Sequence, residues 1–531
     1  MKIIFRHKLL LIILLATFLR LSFLGHVPPA LNWDEVSMGY SAYSVLETGM
    51  DEWGEKLPLF FRSYGEWKSP LYIYLLAPFI KIFGLTPLGV RLPSAIAGVL
   101  SVYLTYLLGK KIYSHNVGLY ASLFLAVSPW ALMLSRPGFE ANLSLTLTLV
   151  GTYFLLNHER GIKWIFASAL FFGLAPHAYN SAKVVVPLLV IFLLYQTKLY
   201  KNLKSLLTLL VILFAFALPI LYNLTSGVAQ ARLGQVGVTT DTKAIGEFYE
   251  LRQSFPAGTG KLVINKLTFS MYKVANNWLS YFSPSFLLTK GGSHTEHSLP
   301  YHGVLYFSEF ILIMLSLFVL KKGKSSHFLP LAFIAIGFLP AAATRDEGHV
   351  LRSILTLPGW QLLAGYGLAN IARDKAKWLK LLFVAEAVIF LSAYFFLYPK
   401  VYARDWQYGH KEVAEYLALE ENSYDKIVMT KWFGEPQLFL AFYNRWDPAI
   451  YQHQNIPNLR YALEGRMWLD QLPEYQMGKY TFKYLEWDKE SQDSKTLYIG
   501  KFDDFGATAR ILKTIHRPDG SIAFIIATGT K

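Results

Sequence analysis

Long apolar segments alternate with short loops rich in lysine and arginine, and this alternation most constrains how the chain can fold. Of its 531 residues, 53% are hydrophobic and only 16% are charged. Several segments approach the roughly 20 apolar residues that a helix needs to cross a bilayer. The sequence therefore predicts an α-helical polytopic membrane protein and excludes a soluble protein of ordinary composition.

The basic loops also predict the orientation of these segments. Lysine and arginine collect on the cytoplasmic side of membrane proteins, and here they cluster at 110–111, 198–204, 321–324 and 373–380. The net charge of +15 thus lies in loops between apolar segments, and we expect no nucleic-acid partner. Residues 69–84 are apolar but short and interrupted by prolines, which indicates an interfacial or re-entrant segment.

This orientation predicts about eleven transmembrane helices. They cover residues 7–25, 88–109, 116–134, 140–157, 162–176, 182–197, 204–223, 302–320, 327–343, 350–371 and 381–398. The first is interpreted as a retained helix, because residues 25–29 match a signal-peptide cleavage site poorly. The prediction is a multi-pass protein of the cell membrane, with external loops at 26–87 and 224–300.

The hydrophobic pattern stops near residue 400. We predict a membrane domain over residues 1–399 and a small soluble α/β domain over 400–531, outside the cytoplasm. Its predicted elements are an amphipathic helix at His410–Glu420, strands at Asp425–Thr430 and Thr496–Gly500, and two strands joined by a turn within Ile511–Ile526. The chain has no cysteine, so a disulfide or a thiolate metal site is impossible.

Charged residues form four strings on the predicted external side. These are Asp34-Glu35, the string 66–70 with Lys68, the string 135–140 with Arg136 and Glu140, and the string 345–352 with His349 and Arg352. Ionisable groups close to a bilayer are costly, so we expect them to line a shared polar cavity. Carboxylates can take a proton from an attacking hydroxyl, and arginine or lysine can bind a leaving phosphate.

Each of these residues also has a structural interpretation. Lys68 can extend to lipid headgroups, Arg136 can anchor the chain at the interface, and Glu140 can favour a helix N-terminus. His349 can be a packed or capping residue. His294 and His297 with Glu296 have the residue types of a metal cluster, but residues 291–293 suggest a mobile loop, and we expect no metal site.

The order of several motifs resembles a known family. They are Asn32-Trp33-Asp34-Glu35, Lys68-Ser69-Pro70, Val90-Arg91, Ser135-Arg136 with Glu140, and Arg352 followed by Gly365-Tyr366-Gly367. The chain resembles the polyprenyl-phosphate-sugar glycosyltransferases of family 39, which include protein O-mannosyltransferases and the bacterial aminoarabinose transferase of lipid A. The resemblance covers residues 5–200 well and 325–400 loosely, and it implies the GT-C fold.

The resemblance implies an integral membrane glycosyltransferase. Such an enzyme moves a sugar from a polyprenyl-phosphate carrier to a hydroxyl of a lipid, glycan or protein at the outer membrane face, with inversion. It implies Asp34 as base, Glu35 as its support or a sugar contact, Glu140 as a second acid, and Lys68 and Arg352 at the donor phosphate, with His349 and Arg136 beside them. Relatives often carry Asp where this chain has Glu140. No cofactor is firmly implied, and a divalent-metal requirement stays open.

Two other classes of function stay open at this point. A transporter or lipid-carrier flippase could use the same acids for ion coupling, although it favours midplane charges and an inverted repeat, neither of which the sequence shows. A non-catalytic envelope scaffold would tolerate Asp34→Asn. The sequence names neither the sugar nor the acceptor.

Overall fold

A computed structural model describes residues 2–63, 66–225, 237–238, 240, 242–256, 259–320 and 325–530. The chain divides into two compact units, and each combines two stretches of sequence. The first unit is Met1–Ser22 with Ser94–Ser392, and the second is Phe23–Pro93 with Ala393–Lys531. The predicted division into domains 1–399 and 400–531 stays a prediction.

Most of the chain is helical. The described α-helices of seven residues or more are Lys2–Leu21, Trp33–Thr48, Pro70–Phe83, Pro87–Ile112, His115–Val127, Pro129–Ser135, Glu140–Leu155, Ile162–Ala178, Ala182–Thr197, Leu203–Thr225, Thr242–Gln253, Lys266–Ser280, Phe307–Leu320, Leu329–Gly337, Gly359–Asn370, Arg373–Ser392, His410–Glu420, Pro436–Tyr443 and Pro448–Asn455. Single-turn helices lie at Gly260–Val263, Leu339–Ala342, Tyr398–Val401 and Arg460–Leu463. A helix occupies part or all of every segment predicted to span the membrane, and the short segment 69–84 is a helix as well.

In two of the predicted spans, the helix is interrupted next to a proline. The predicted helix 116–134 is two helices bent by 57°. Ser128 ends the first and caps the second, where its Oγ accepts from the N–H of Ala131 at 3.4 Å, and Pro129 takes the first helical position. Proline suits that position because it has no N–H to leave unsatisfied. The predicted helix 350–371 is α-helical only from Gly359 onward, directly after Pro358.

Length and apolar composition set which helices can cross a bilayer. Within the described residues, three helices are long and apolar enough to cross a bilayer: Pro87–Ile112, Leu203–Asn223 and Ala376–Val401. The bent pair around Ser128 makes a fourth if it is one span. Shorter apolar helices are Pro70–Phe83, Ile162–Ala178, Ala182–Thr197, Phe307–Leu320 and Leu329–Ala342. The count of eleven spans and their orientation stay predictions.

The second unit contains the strands of the described chain. They are β1 Phe61–Ser63, β2 Glu66–Lys68, β3 Lys426–Thr430, β4 Glu474–Met477, β5 Tyr480–Lys483, β6 Thr496–Gly500, β7 Arg510–His516 and β8 Ile522–Thr528. Strands β1 and β2 form a hairpin, and the other six form one mixed sheet in the order β4-β5-β3-β6-β8-β7. Strand β3 is parallel to both of its neighbours, and Ile427, Val428 and Met429 in it are buried.

The structure confirms the predicted small α/β architecture at the C-terminus. The helix His410–Glu420 and strands β3, β6, β7 and β8 lie where the sequence placed them. The hairpin of β4 and β5 was not predicted, because each strand has only four residues. Its turn contains Gly478 with φ of +57°, a left-handed conformation that glycine adopts without strain.

Candidate active site

The acid pair Asp34-Glu35 lies in the first turn of the helix Trp33–Thr48. Asn32 caps this helix, with its Oδ1 accepting from the N–H of Glu35 at 2.9 Å. In return, Oε2 of Glu35 accepts from the N–H of Asn32 at 3.2 Å. This reciprocal pair is a capping box, and negative charge is favoured at this end of a helix. The capping box therefore fixes the start of the helix and, with it, the positions of Asp34 and Glu35.

Asp34 forms an ion pair with Lys68. The Nζ of Lys68 lies 2.8 Å from Oδ1 of Asp34. Lys68 ends strand β2, where it pairs with Phe61 of β1, so a hairpin holds the lysine beside the helix start. The Lys68 side chain is 4% exposed and that of Asp34 is 33% exposed. A carboxylate that solvent can reach thus has a nearly buried cation beside it.

Glu35 has a different environment, because Arg91 holds it in a fully buried ion pair. Nε of Arg91 donates to Oε1 of Glu35 at 2.8 Å, and Nη2 donates to Oε2 at 3.1 Å. Both side chains are 0% exposed. The same guanidinium donates to the backbone carbonyl oxygens of Leu24, Pro28 and Ala30. Arg91 therefore connects Glu35 to residues 24–30, the segment that precedes the helix.

The sequence indicates Arg91 only through the Val90-Arg91 motif of the family resemblance, and it does not predict the ion pair of Arg91 with Glu35. One signal was available: Asn32 and Glu35 have the i, i+3 spacing of a capping box, with a helix following. A glutamate at that position turns back toward the cap. This geometry supports a positioning role for Glu35 and leaves Asp34 as the carboxylate with access to solvent.

Arg136 has backbone partners in the first unit. Its guanidinium is fully buried, and it donates to the carbonyl oxygens of Leu19 and Ser22, the latter at 2.7 Å. These carbonyls end the helix Lys2–Leu21, where a positive charge is favoured. The sequence suggested a phosphate contact for Arg136, and this geometry instead supports a structural role in capping the first helix.

Glu140 begins the helix Glu140–Leu155 and is buried. Its place in the first turn fits the helix-terminal interpretation as well as the acid role that the resemblance implies. The preceding residue, Phe139, packs edge-on against the ring of His297 with centroids 5.3 Å apart. Glu140 therefore lies next in sequence to a residue that contacts a histidine cluster of the first unit.

That cluster contains His294, His297 and His349, whose ring centroids lie 5.0 to 5.4 Å apart. Burial lowers the pKa of His297 to about 3, with smaller contributions from His294 and Arg352. Burial, and then Arg352, also hold the pKa of His349 well below its ordinary value. Burial therefore favours the neutral form of both imidazole rings.

Arg352 lies beside these rings. Its Nη1 donates to Oδ2 of Asp346 at 2.8 Å, and its backbone N–H donates to Nδ1 of His349 at 3.3 Å. The structure thus brings together His349 and Arg352, as their spacing suggested, but it adds Asp346 as the partner of the guanidinium. Asp346 was part of the charged string and was given no role from sequence.

The predicted site residues fall in both units. Asp34, Glu35 and Lys68 belong to the second, and Arg136, Glu140, His349 and Arg352 belong to the first. The pairs reported above lie within one unit each. The side chain of Glu66 and the predicted cytoplasmic basic loop 321–324 lie outside the described residues.

Comparison with known proteins shows which families part of this chain resembles. Residues 67–222 match the family described as dolichyl-phosphate-mannose-protein mannosyltransferase. A curated relative, named "Putative mannosyltransferase YycA", from Bacillus subtilis (strain 168), is 32% identical over 156 residues. That match covers 28% of this chain and 23% of the relative, so the chain matches about a quarter of that protein's length.

Solved structures extend the comparison to the whole chain. ArnT from Cupriavidus metallidurans, bound to undecaprenyl phosphate, matches with a TM-score of 0.52 at 10% identity, covering 99% of this chain and 97% of ArnT. The archaeal oligosaccharyltransferase AglB from Archaeoglobus fulgidus has a TM-score of 0.49 at 14% identity, covering 83% of this chain and 64% of AglB. The ArnT match shows that the chain has the fold of a GT-C glycosyltransferase.

The family match and the fold together confirm the resemblance that the sequence motifs indicated. They do not favour a transporter or a flippase. The matched segment begins at residue 67 and so includes Lys68, whereas Asp34 and Glu35 precede it.

Proposed function

We propose that this protein is an integral membrane glycosyltransferase that takes a sugar from a polyprenyl-phosphate carrier. The acceptor is a hydroxyl group of a lipid, glycan or protein, and transfer inverts the anomeric carbon. The mannosyltransferase family match over residues 67–222 supports this class of donor, as does undecaprenyl phosphate bound to ArnT, which has the same fold.

One observation carries the proposal: the 2.8 Å contact between Lys68 and Asp34. The reaction needs a base for the acceptor hydroxyl and a cation for the departing phosphate. Lys68 and Asp34 supply these two groups side by side. Asp34 is the carboxylate of the acid pair that solvent reaches, and Lys68 can offer a compact positive charge to phosphate.

A single displacement sets a condition on this pair. The attacking hydroxyl and the departing phosphate lie on opposite sides of the anomeric carbon, so base and cation cannot stay in direct contact during transfer. We propose that the donor phosphate replaces Asp34 as the ion-pair partner of Lys68. Asp34 then loses its ion-pair partner and accepts the proton of the acceptor hydroxyl. Donor binding would thus precede activation of the base.

Three of the other predicted residues, Glu35, Glu140 and Arg352, have supporting roles in this proposal. Glu35, held by Arg91, positions the helix start that carries Asp34. Glu140 is a candidate second acid at the acceptor or the sugar. Arg352 is a second candidate for the donor phosphate, although its pairing with Asp346 makes Lys68 the stronger one. Arg136 is left out because its guanidinium binds the end of the first helix.

The donor experiment uses purified full-length protein and a panel of labelled polyprenyl-phosphate sugars. Release of the free carrier phosphate is measured with and without a lysate-derived acceptor fraction, and Asp34→Asn serves as the matched inactive control. We expect release from at least one donor by the wild type and none above background by the variant. Equal release by both proteins would overturn the assignment of the active site.

The proposed location of the site is the outer face of the cell membrane. The basic short loops support this orientation, because their cytoplasmic placement puts the loop 224–300 and residues 400–531 outside. A reporter active only in the cytoplasm, fused after Lys531, should be inactive, whereas one active only outside should be active. The reverse pattern would contradict the external site.

A further inference from the structure

We propose that His294, Asp346 and His349 form a binding site for a divalent transition-metal ion, with His297 beside them as an additional donor. One ligand atom from each of the first three residues lies within 4.8 Å of the others. The proposed base Asp34 and the proposed phosphate-binding Lys68 are not part of this site. It joins two segments of the first unit that are about 50 residues apart in sequence.

The distances between the three ligand atoms allow these atoms to surround one ion. Zinc–nitrogen and zinc–oxygen bonds of about 2.0–2.2 Å place tetrahedral ligand atoms about 3.3 Å apart. The three donors must therefore approach each other by at most about 1.5 Å. His294 is exposed and can make this adjustment by rotating its side chain, while the buried His349 stays in place.

The backbone already holds the two segments in contact. The N–H of Ser293 donates to the carbonyl oxygen of Gly348 at 3.4 Å. A Cβ at Gly292 would meet Cγ2 of Val350 at 2.4 Å and the Gly348 oxygen at 2.8 Å, so glycine is required there. The sequence suggested that these glycines make a mobile loop. In the structure, Gly292 permits the close approach that brings His294 to Asp346 and His349.

Neighbouring groups position two of the ligands, as is typical of metal sites. The hydroxyl of Tyr281 accepts from the backbone N–H of His349 at 3.0 Å, and Oγ of Ser353 donates to the carbonyl of His349 at 3.0 Å. Arg352 donates to one oxygen of Asp346 at 2.8 Å, and Nε of Arg345 lies 3.8 Å from the other. The positive charges of these two arginines disfavour binding of a cation. The carboxylate of Asp346 offsets this effect, because it would contact both the arginines and the ion.

His297 supplies an independent observation. Its Nδ1 is buried and has no hydrogen-bond partner among the described residues, and buried polar atoms in proteins nearly always have one. Its ring lies 5.2 Å from that of His349 and 5.4 Å from that of His294, between centroids. An ion or an ion-bound water in the cluster would provide the missing partner.

The donor set predicts which metal binds. Imidazole nitrogens with one carboxylate suit zinc, cobalt and nickel, whereas magnesium and calcium prefer sites made of oxygen. We therefore expect zinc or cobalt to bind at one ion per chain, and magnesium at equal concentration not to compete. Saturable binding of magnesium with no binding of zinc would contradict the ligand assignment.

The test uses full-length protein in detergent, with any affinity tag removed and metal stripped by a chelator. Cobalt absorption in the visible range and zinc displacement report binding. The variants are His294→Ala, which changes an exposed side chain, and Asp346→Asn. His453→Ala is the matched control, because His453 is an exposed histidine in the second unit. The melting temperature with and without zinc is measured for each protein.

We expect wild type and His453→Ala to bind one ion and to melt at a higher temperature with zinc. We expect His294→Ala and Asp346→Asn to lose at least about tenfold in affinity, since even partners outside the ligand set are worth 10- to 100-fold, and to lose the zinc-dependent rise. The proposal is overturned if the wild type binds no stoichiometric zinc. It is equally overturned if His294→Ala, folded by its melting curve, binds zinc as the wild type does.

Discussion

The two ion pairs at the start of the helix Trp33–Thr48 differ, although their carboxylates are adjacent in sequence. Asp34 and Lys68 share one 2.8 Å contact, and Asp34 is one-third exposed. Glu35 and Arg91 share two hydrogen bonds, and both are completely buried. In the proposed mechanism Asp34 gives up its partner to the donor, whereas Glu35 is held inside the fold by Arg91.

The difference teaches that the partner and the exposure of a carboxylate decide its role. Breaking a fully buried pair leaves an uncompensated charge and is strongly destabilising, whereas solvent that reaches the one-third-exposed Asp34 screens its charge and lowers the cost of losing its pair with Lys68. Protonation of Asp34 during transfer therefore has a small effect on the free energy of unfolding. Protonation of Glu35 would leave the buried guanidinium of Arg91 without its charge partner.

The largest expected effect is that of Asp34→Asn on transfer. Asparagine keeps an oxygen acceptor for Lys68 and removes the basic carboxylate, so turnover should fall by about 10²- to 10⁴-fold. The melting temperature should change little. Turnover and melting are measured in the same detergent, with Glu415→Gln, an exposed carboxylate in an i, i+4 pair, as control. Intact transfer would move the base to another acid, with Glu140 the first to examine.

The next effect is that of Glu35→Gln on stability. Glutamine leaves the buried Arg91 without a charge partner, which typically costs about 3–5 kcal/mol. The melting temperature should fall well below that of Asp34→Asn, while the fraction that remains folded keeps more activity than Asp34→Asn. If Glu35→Gln melted like the wild type and abolished transfer, the roles of the two acids would have to be exchanged.

Lys68→Met should weaken donor binding with a smaller effect on turnover at saturation. Losing a charge-assisted hydrogen bond costs about 1.5–3 kcal/mol, or about 10- to 150-fold in affinity. Methionine keeps most of the length of the side chain, so hairpin packing is preserved. Lys411→Met, at an exposed lysine, is the control. Unchanged donor affinity in Lys68→Met would place the phosphate site elsewhere, with Arg352 as the next candidate.

Much of the fold could be predicted from sequence because it depends on local signals. Apolar length located the helices from Pro87 to Thr225, and alternation with turn residues located β7 and β8. The interruptions at Ser128 and Pro358 were missed, although each lies at a proline. Hydrophobicity alone does not distinguish a straight helix from two helices at an angle, since both bury the same apolar residues.

The candidate site was predictable only in part, because its contacts are long-range. The strings containing Asp34 and Lys68 stood out as charges beside apolar segments. The partners of Glu35 and Arg136 did not, since Arg91 is 56 residues from Glu35 and Arg136 is 117 residues from Leu19. A buried arginine that binds backbone carbonyls has the same sequence appearance as one that binds phosphate.

The smallest expected effect is that of removing the helix cap that both carboxylates share. Asn32→Ala deletes the oxygen that accepts from the N–H of Glu35, and loss of such a cap costs about 1 kcal/mol. Asn32→Ser restores a good capping oxygen and is the matched control.

We expect a modest fall in melting temperature for Asn32→Ala and a smaller one for Asn32→Ser. Because Arg91 still holds Glu35 and Lys68 still holds Asp34, transfer should stay within a few-fold of the wild type. If Asn32→Ala instead lowered transfer as far as Asp34→Asn does, the cap itself would position the base, and the ion pairs would not be sufficient to do so. If Asn32→Ala and Asn32→Ser were equally stable, the capping oxygen would contribute nothing, and the helix start would depend on Glu35 and Arg91 alone.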